Sequence, residues 1–215
     1  MKIILTGATG YVGEGVLLEC LAHPEVDRVL VVGRRSCGRS HAKLTELLVP
    51  DFLKLDAVKD QFTGYDGCFF CAGISSVGMS EADYTRATYD TTMALARAVH
   101  AGSPQATFIY VSGGGTDSTE KGRLMWARVK GRTENELSRL SFRQQFNFRP
   151  GFMTLTPGMR NPKWWMRALV PLFGVLVPWV TCSMKQVGLA MIHAVQRGYP
   201  KNVIEVKDIK ALAKA

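Results

Sequence analysis

The chain has 215 residues, 47% of them hydrophobic and 21% charged, a composition typical of one folded globular domain that excludes disordered and fibrous proteins. Its formal net charge of +9 favours a ligand that carries phosphate. The basic residues are spread along the chain, with no run of five or more that is interleaved with aromatic residues, so we expect no nucleic-acid partner.

Short apolar strands alternate with stretches of helical spacing over residues 1–150. The predicted strands are Lys2 to Thr6, Arg28 to Val32, Leu44 to Val49, Gly67 to Ala72, Ala106 to Ser112 and Phe146 to Arg149. The predicted helices are Val12 to Ala22, a helix capped by Ser80 that runs to Ala101, and Arg123 to Leu140. This alternation predicts a doubly wound α/β fold around a parallel sheet.

Beyond Pro150 the alternation loosens. An apolar patch rich in Trp, Trp164 to Val180, precedes a predicted helix from Met184 to Gln196 and a short tail. We therefore expect a core over 1–150 and a small extension over 151–215. The patch fits a substrate lid or a homodimer contact, and less well a membrane-surface anchor. Its apolar part is shorter than the about 20 residues of a membrane span, so no transmembrane segment is expected.

The first strand leads directly into Thr6-Gly7-Ala8-Thr9-Gly10-Tyr11-Val12-Gly13, which has the form T-G-x-x-G-x-x-G. Gly7 permits a tight turn, Gly10 lets the backbone approach a pyrophosphate, and Gly13 lets the helix pack closely on the strand. The start of the helix then presents free N–H groups to the phosphates. In this context the motif predicts a dinucleotide cofactor on a Rossmann fold, bound around Gly7 and Thr9 to Gly13.

The residues after the second strand indicate which dinucleotide is bound. A site for NAD usually has a carboxylate there, which binds the ribose 2′-hydroxyl. This chain has Arg34 and Arg35 instead, and a guanidinium binds a phosphate with two parallel donors. We therefore expect NADP(H), with NAD less favoured. The alternative is that both arginines are solvated loop residues.

Together these motifs resemble the short-chain dehydrogenase/reductase superfamily, and most closely its atypical branch of nucleoside-diphosphate-sugar-epimerase-like, NmrA-like and Tat-interacting oxidoreductase-like proteins. The resemblance covers nearly the whole chain, although Thr88 stands where many members have Asn. It implies contacts to the adenine end from Asp51 with Phe52 and from Cys71, Ala72 and Gly73. It also implies that the turn Arg149-Pro150-Gly151 contacts the nicotinamide end.

The chain departs from this superfamily at its reactive centre, Y-x-x-x-K. Here the stretch reads Trp126-Ala127-Arg128-Val129-Lys130, so the lysine is present and the tyrosine is replaced by Trp126. An indole N–H donates a hydrogen bond but does not titrate near neutral pH. The resemblance implies that Lys130 positions the nicotinamide ribose and that Ser112, or a neighbouring residue, polarises the substrate carbonyl.

Two functions follow from this departure. The first is an NADP(H)-binding reductase or epimerase-like enzyme for a small carbonyl substrate, with the proton supplied by another group. The second is a catalytically inactive NADP(H) sensor or scaffold that regulates a protein partner. Candidate proton donors, each of which also has a structural interpretation, are Tyr110, Thr116, Asp117, Ser118, Tyr84 and Tyr89.

The chain's 5 cysteines are an odd number at scattered positions, which argues against a disulfide framework and for a reducing, cytoplasmic location. Cys68 and Cys71 have C-x-x-C spacing inside an apolar strand, where their side chains point to opposite faces. The four histidines have no ligand partners at metal spacing, so no metal site is expected.

Overall fold

The computed structural model describes residues 1–160 and 177–214. Its strands are β1 (Lys2–Thr6), β2 (Arg28–Gly33), β3 (Leu44–Leu48), β4 (Gly67–Phe70), β5 (Thr107–Val111), β6 (Gln144–Arg149), β7 (Phe152–Thr154), β8 (Thr181–Ser183) and β9 (Val203–Glu205). Its helices are α1 (Tyr11–Ala22), α2 (Glu81–Thr85), α3 (Thr91–Gly102), α4 (Met125–Leu137), α5 (Met184–Arg197) and α6 (Val206–Leu212). A π-helical segment, Arg86–Asp90, joins α2 to α3, and 3₁₀ turns occupy Asp56–Phe62 and Pro178–Val180.

Seven strands form one sheet in the order β3-β2-β1-β4-β5-β6-β9, and all neighbouring pairs are parallel. The strand order reverses between β1 and β4, which is the switch point of a doubly wound fold. The predicted Rossmann architecture is confirmed. Ligands of such sheets bind beyond the carboxyl ends of the strands at this point.

Helices pack on both faces of the sheet, which explains why its central strands are continuous apolar runs. On one face Ile3 and Leu5 of β1 join a core cluster with side chains from α1, α5 and α6. On the other face Ile4 packs in a second cluster with side chains from α3 and α4. Successive residues of β1 therefore pack against helices on opposite faces of the sheet.

The helix predicted after Ser80 begins as expected and is then interrupted. The Ser80 hydroxyl caps α2 by accepting a hydrogen bond from the Asp83 N–H at 3.1 Å. The prediction of one regular helix to Ala101 is wrong over Arg86–Asp90, where the backbone is π-helical. Ala87 of this segment lies in the main cleft described below, and π-helical turns often occur at functional sites.

The structure adds elements that the sequence did not reveal beyond Pro150. The supposed tail contains β9, which extends the main sheet beside β6, and the short helix α6. β7 and β8 form a separate parallel pair. These strands have three residues each, which is too short for a hydrophobic period to be recognised.

Most of the Trp-rich patch lies outside the described residues. Its described end is the 3₁₀ turn Pro178–Val180, in which Trp179 is exposed. Over 1–160 and 177–214, the structure has no helix that is both long and apolar enough to cross a bilayer.

Candidate functional site

The turn between β1 and α1 has no room for side chains at two of its three motif glycines. Gly7 has a φ of +73°, and a Cβ there would lie 2.6 Å from backbone atoms of Cys71 and Ala72. A Cβ on Gly13 would lie 2.2 Å from the Gly7 carbonyl oxygen. Gly10 is different, because its Cβ would approach only that same oxygen, at 3.3 Å. Gly7 and Gly13 therefore allow close packing of the backbone, and Gly10 leaves the surface of the turn open.

The N-terminus of α1 offers backbone donors to a ligand. Its N-cap is Gly10, which provides no side-chain hydrogen bond. The Gly10 carbonyl accepts from the Glu14 N–H at 3.0 Å, so the N–H groups of Tyr11, Val12 and Gly13 precede the first intrahelical bond. Such donors, together with the helix dipole, favour an anion at this end.

A cleft of about 940 Å³ opens above this turn at the carboxyl ends of β1, β2, β4 and β5. Fifteen of the residues proposed from the sequence line it: Gly7, Thr9, Gly10, Tyr11, Val12, Arg34, Arg35, Asp51, Phe52, Cys71, Ala72, Gly73, Ser112, Lys130 and Pro150. Three do not line it. Gly13 lies beneath the turn, Gly151 packs where a Cβ would lie 2.2 Å from the Val180 carbonyl oxygen, and Trp126 lies beside Gly115.

Two arginines form the rim of the cleft at the end of β2. The side chains of Arg34 and Arg35 are exposed, and within the described part of the chain neither pairs with a carboxylate. After the adjacent strand β3, Asp51 closes a turn by accepting a hydrogen bond from the Leu53 N–H at 2.9 Å, and the neighbouring Phe52 is buried. This end of the cleft therefore combines two accessible cations with an apolar side chain.

The segment after β4 forms the middle of the cleft. The Ala72 N–H donates to the Thr6 hydroxyl at 3.2 Å, which fixes this segment beside the turn. A Cβ on Gly73 would meet no atom within 4 Å, so the backbone there faces open space. Burial raises the pKa of the Cys71 thiol, so the thiol is neutral. Cys68 packs in the core cluster on the opposite face of the sheet from Cys71.

Helix α4 holds the end of β5 through two side chains one turn apart. The Lys130 ammonium lines the cleft and donates a hydrogen bond to the Ser112 carbonyl oxygen. Burial lowers the pKa of Lys130, while the nearby Glu134 carboxylate acts in the opposite direction. Glu134 itself accepts the Ser112 hydroxyl at 2.5 Å. The hydroxyl and the carbonyl oxygen of Ser112 are therefore both bound to α4.

Glu134 is also paired with Arg149, at the end of β6. The carboxylate is 2% exposed, and the Arg149 guanidinium donates to both of its oxygens, with the Nε to Oε1 distance at 3.0 Å. Hydrogen bonding to Glu134 raises the pKa of Arg149. The arginine of the Arg149-Pro150-Gly151 turn is thus engaged inside the protein. Sequence reasoning missed Glu134, although its spacing of four from Lys130 places both on one helix face.

The residues considered as substitutes for the missing tyrosine lie away from the described cleft lining. Tyr84 and Tyr110 are buried, and burial raises the pKa of each phenol. The other four make structural contacts. The Tyr89 ring lies under the Arg132 guanidinium, and the Thr116 hydroxyl donates to the Gly113 carbonyl oxygen. The Asp117 carboxylate accepts from the Thr119 hydroxyl and the Gly122 N–H, and the Ser118 hydroxyl accepts from the Arg149 guanidinium. Tyr11 lines the cleft, but its hydroxyl donates to the Met153 carbonyl oxygen, and burial raises the pKa of this hydroxyl to about 12.

Over the described ranges, no group of three His, Cys, Asp or Glu side chains is placed to hold a metal ion. The lining suits a dinucleotide better. The uncapped start of α1 faces the cleft through Gly10 and Tyr11, and Gly73 leaves the backbone accessible. Cationic side chains stand at both ends, Arg34 with Arg35 at one and Lys130 at the other.

The family model of the NAD dependent epimerase/dehydratase family matches residues 3–119, which is more than half of the chain. The chain belongs to this epimerase/dehydratase family. The resemblance to the epimerase-like branch of the short-chain dehydrogenase/reductase superfamily is confirmed. The cofactor class of the family is an NAD(P) dinucleotide, which agrees with the cleft lining.

Among similar proteins, the chain is 29% identical over 171 residues to "Protein fmp52-1, mitochondrial" of Aspergillus terreus, covering 75% of this chain and 70% of that protein. It is 26% identical over 167 residues to "Protein HTATIP2" of Rattus norvegicus, covering 77% of this chain and 68% of that protein. The fungal name specifies mitochondria, so the cytoplasmic location expected from the cysteines stays a prediction.

Solved structures of more distant proteins share the fold. WbmF of Bordetella bronchiseptica in complex with NAD+ superposes with a TM-score of 0.67 at 15% identity, covering 98% of this chain and 76% of that chain. A glucuronic acid dehydrogenase from Chromohalobacter salexigens gives a TM-score of 0.67 at 18% identity, covering 94% of this chain and 75% of that chain. At identities of 15% and 18%, these similarities show only that the chain shares the Rossmann fold of those proteins.

Proposed function

We propose that this chain binds NADP(H) in preference to NAD(H). The supporting observation is the pair Arg34 and Arg35, exposed at the end of β2 on the rim of the cleft and not paired with a carboxylate in the described part of the chain. A guanidinium gains much more from a 2′-phosphate than from a 2′-hydroxyl. The α1 N-terminus supplies donors for the pyrophosphate, and Lys130 for the nicotinamide ribose.

The double variant Arg34→Ala/Arg35→Ala tests the coenzyme preference. We expect its affinity for NADPH to fall about 100-fold, because each lost charge-assisted hydrogen bond is worth ~1.5–3 kcal/mol. Its affinity for NADH should change little. Fluorescence titration of both coenzymes at one fixed ionic strength gives the ratio of dissociation constants.

A matched control is Lys2→Ala/Arg28→Ala, which removes two cations from the amino ends of the adjacent strands β1 and β2. This control should retain the preference for NADPH. An Arg34→Ala/Arg35→Ala protein with unchanged coenzyme selectivity would remove the proposal.

We further propose that the protein is an oxidoreductase that acts on a small carbonyl compound. The cofactor, when bound, supplies a hydride. Lys130 is placed at the cleft to hold the ribose, and the Ser112 backbone that it contacts lies at the end of β5. Pockets for single ligands have volumes of about 300–1,000 Å³, so a dinucleotide takes most of this cleft and leaves space for a small substrate.

The alternative is a sensor or scaffold that binds NADP(H) without turnover and regulates a protein partner. Trp126 favours this alternative, since it replaces the family's proton donor and packs beside Gly115 outside the cleft lining. The Ser112 hydroxyl also favours it, because this group is engaged by Glu134.

Turnover separates the two candidates. For an oxidoreductase, we expect the wild type to oxidise NADPH with small aldehydes, ketones or quinones, and Lys130→Met to reduce kcat/KM at least about tenfold, or ~1.4 kcal/mol of transition-state binding. Trp126→Tyr is assayed in parallel, with NADPH binding and thermal unfolding checked for each variant. Turnover that appears only in Trp126→Tyr would refute the oxidoreductase proposal in favour of the sensor.

A further inference from the structure

A buried carboxylate joins three parts of the chain behind the cleft. Glu14, in the first turn of α1, is 1% exposed. Its Oε1 atom accepts a hydrogen bond from Nη2 of Arg39 at 2.5 Å and from the backbone N–H of Arg160 at 2.8 Å. Glu14 does not line the cleft, although the three residues Gly10, Tyr11 and Val12 just before Gly13 do.

Arg39 extends this junction to a second contact. The same guanidinium nitrogen donates to the Gly158 carbonyl oxygen at 2.8 Å. In return, the Arg160 side chain donates to the Gly38 carbonyl oxygen at 3.1 Å. The loop after β2 and the segment 158–160 are therefore bound to each other and to α1.

The loop held in this way is the one that begins with Arg34 and Arg35. Its middle is fixed by β3, where the Glu46 carboxylate accepts the Ser36 hydroxyl at 2.7 Å and the Cys37 N–H at 2.6 Å. Its far end is fixed by Arg39. Removing Arg39 from this position would take a bound cation away from the buried Glu14 carboxylate, which is unfavourable. The loop is therefore restrained before any ligand arrives.

Restraint of this kind increases affinity, because a binding loop that is already ordered loses less conformational entropy when the ligand binds. We propose that Glu14 is a positioning residue for coenzyme selectivity. By anchoring Arg39, it holds residues 34–39 in the conformation in which Arg34 and Arg35 receive a ribose 2′-phosphate. This inference rests on the proposed NADP(H) function.

Two variants break the anchor in different ways. Arg39→Met removes the guanidinium that binds the buried carboxylate and should lower both thermal stability and coenzyme selectivity. Glu14→Met/Arg39→Met removes the whole ion pair, and apolar replacements of buried pairs are often neutral for stability. We expect the double variant to regain the melting temperature while its NADPH-to-NADH affinity ratio stays about tenfold below that of the wild type, equivalent to ~1.4 kcal/mol.

Limited trypsin digestion gives a readout that does not depend on the coenzyme. Cleavage after Arg34 and Arg35, followed by mass spectrometry, should be faster in both variants because the loop is released at its far end. The matched control is Glu19→Gln, which changes another buried acid of α1 that lies beside Gly188. It should leave both the affinity ratio and the cleavage rate unchanged.

The outcomes distinguish this inference from the proposed function. If Arg34→Ala/Arg35→Ala loses NADPH preference while both anchor variants keep it, Glu14 has no positioning role. If Arg34→Ala/Arg35→Ala itself keeps the preference, the NADP(H) proposal and this inference are both wrong. Should the double variant not fold, Arg39→Lys retains the charge but not the reach to both Glu14 and Gly158. The Arg39→Lys variant should then lose less coenzyme selectivity than Arg39→Met. An Arg39→Lys protein with the selectivity of the wild type would contradict the proposal.

Discussion

Arg149→Met is expected to lower the free energy of unfolding by about 3–5 kcal/mol, the usual cost of removing one partner from a buried ion pair. The Glu134 carboxylate, 2% exposed, would lose the guanidinium that donates to both of its oxygens and would keep its hydrogen bond from the Ser112 hydroxyl. Urea-induced unfolding followed by circular dichroism measures the change, provided that the slope of the transition stays constant.

The double variant Glu134→Leu/Arg149→Met serves as the control for this prediction. It removes both charges and should recover much of the lost stability, because the desolvation cost disappears with the pair. Arg143→Met is a second comparison, since Arg143 is an exposed residue that donates to the Val195 carbonyl oxygen at 2.7 Å without pairing with an acid in the described structure. A loss at Arg149 no larger than the loss at Arg143 would contradict the assigned importance of the ion pair.

Gly13→Ala is expected to have the second large effect, on both stability and coenzyme binding. The new Cβ would lie 2.2 Å from the Gly7 carbonyl oxygen and 2.4 Å from the Gly7 carbonyl carbon, so α1 must move away from the turn. Overpacking of this kind costs about 1–3 kcal/mol and sometimes more. We expect the largest consequence in NADPH affinity, because the displaced helix start carries the N–H groups proposed to bind the pyrophosphate.

Thermal unfolding and NADPH titration measure the two effects of Gly13→Ala. The control is Gly114→Ala, because a Cβ there would meet nothing closer than the Pro150 carbonyl oxygen at 4.0 Å. That variant should remain within about 0.5 kcal/mol of the wild type, as most surface substitutions do. Gly13→Ala with wild-type stability and affinity would show that the turn tolerates a side chain, and the proposed phosphate site would lose its structural basis.

The sequence predicted the elements that recur along the chain. Four strands of the main sheet, β1, β2, β4 and β5, were recognised because central parallel strands are buried on both faces and therefore read as apolar runs. The strands β3 and β6 contain polar residues and were recognised from their places in the alternation with helices. The turn after β1 was recognised because its glycines meet local requirements, such as the positive φ at Gly7. The arginines after β2 were found by their position relative to a strand that was itself easy to detect.

The seventh strand and the π-helical segment could not be predicted in the same way. β9 has three residues and is stabilised by its register with β6, in which Phe148 pairs with Ile204. The segment Arg86–Asp90 has the composition of an ordinary helix, and only its packing shows the altered hydrogen bonding. Neither feature produces a periodic pattern of hydrophobic residues in the sequence by which it could be recognised.

The amino-acid sequence by itself determined the Rossmann class, the glycine-rich turn proposed to bind phosphate, the cationic residues after β2 and the tryptophan in place of the tyrosine of Y-x-x-x-K, because each depends on residues adjacent in the chain. Only the tertiary structure decided which polar groups are available. Ser112 is engaged by Glu134, which is paired with Arg149, and Glu14 is anchored to Arg39. These partners lie far apart in sequence, and they meet because a charge enclosed by the fold must find its counter-charge wherever the packing brings one.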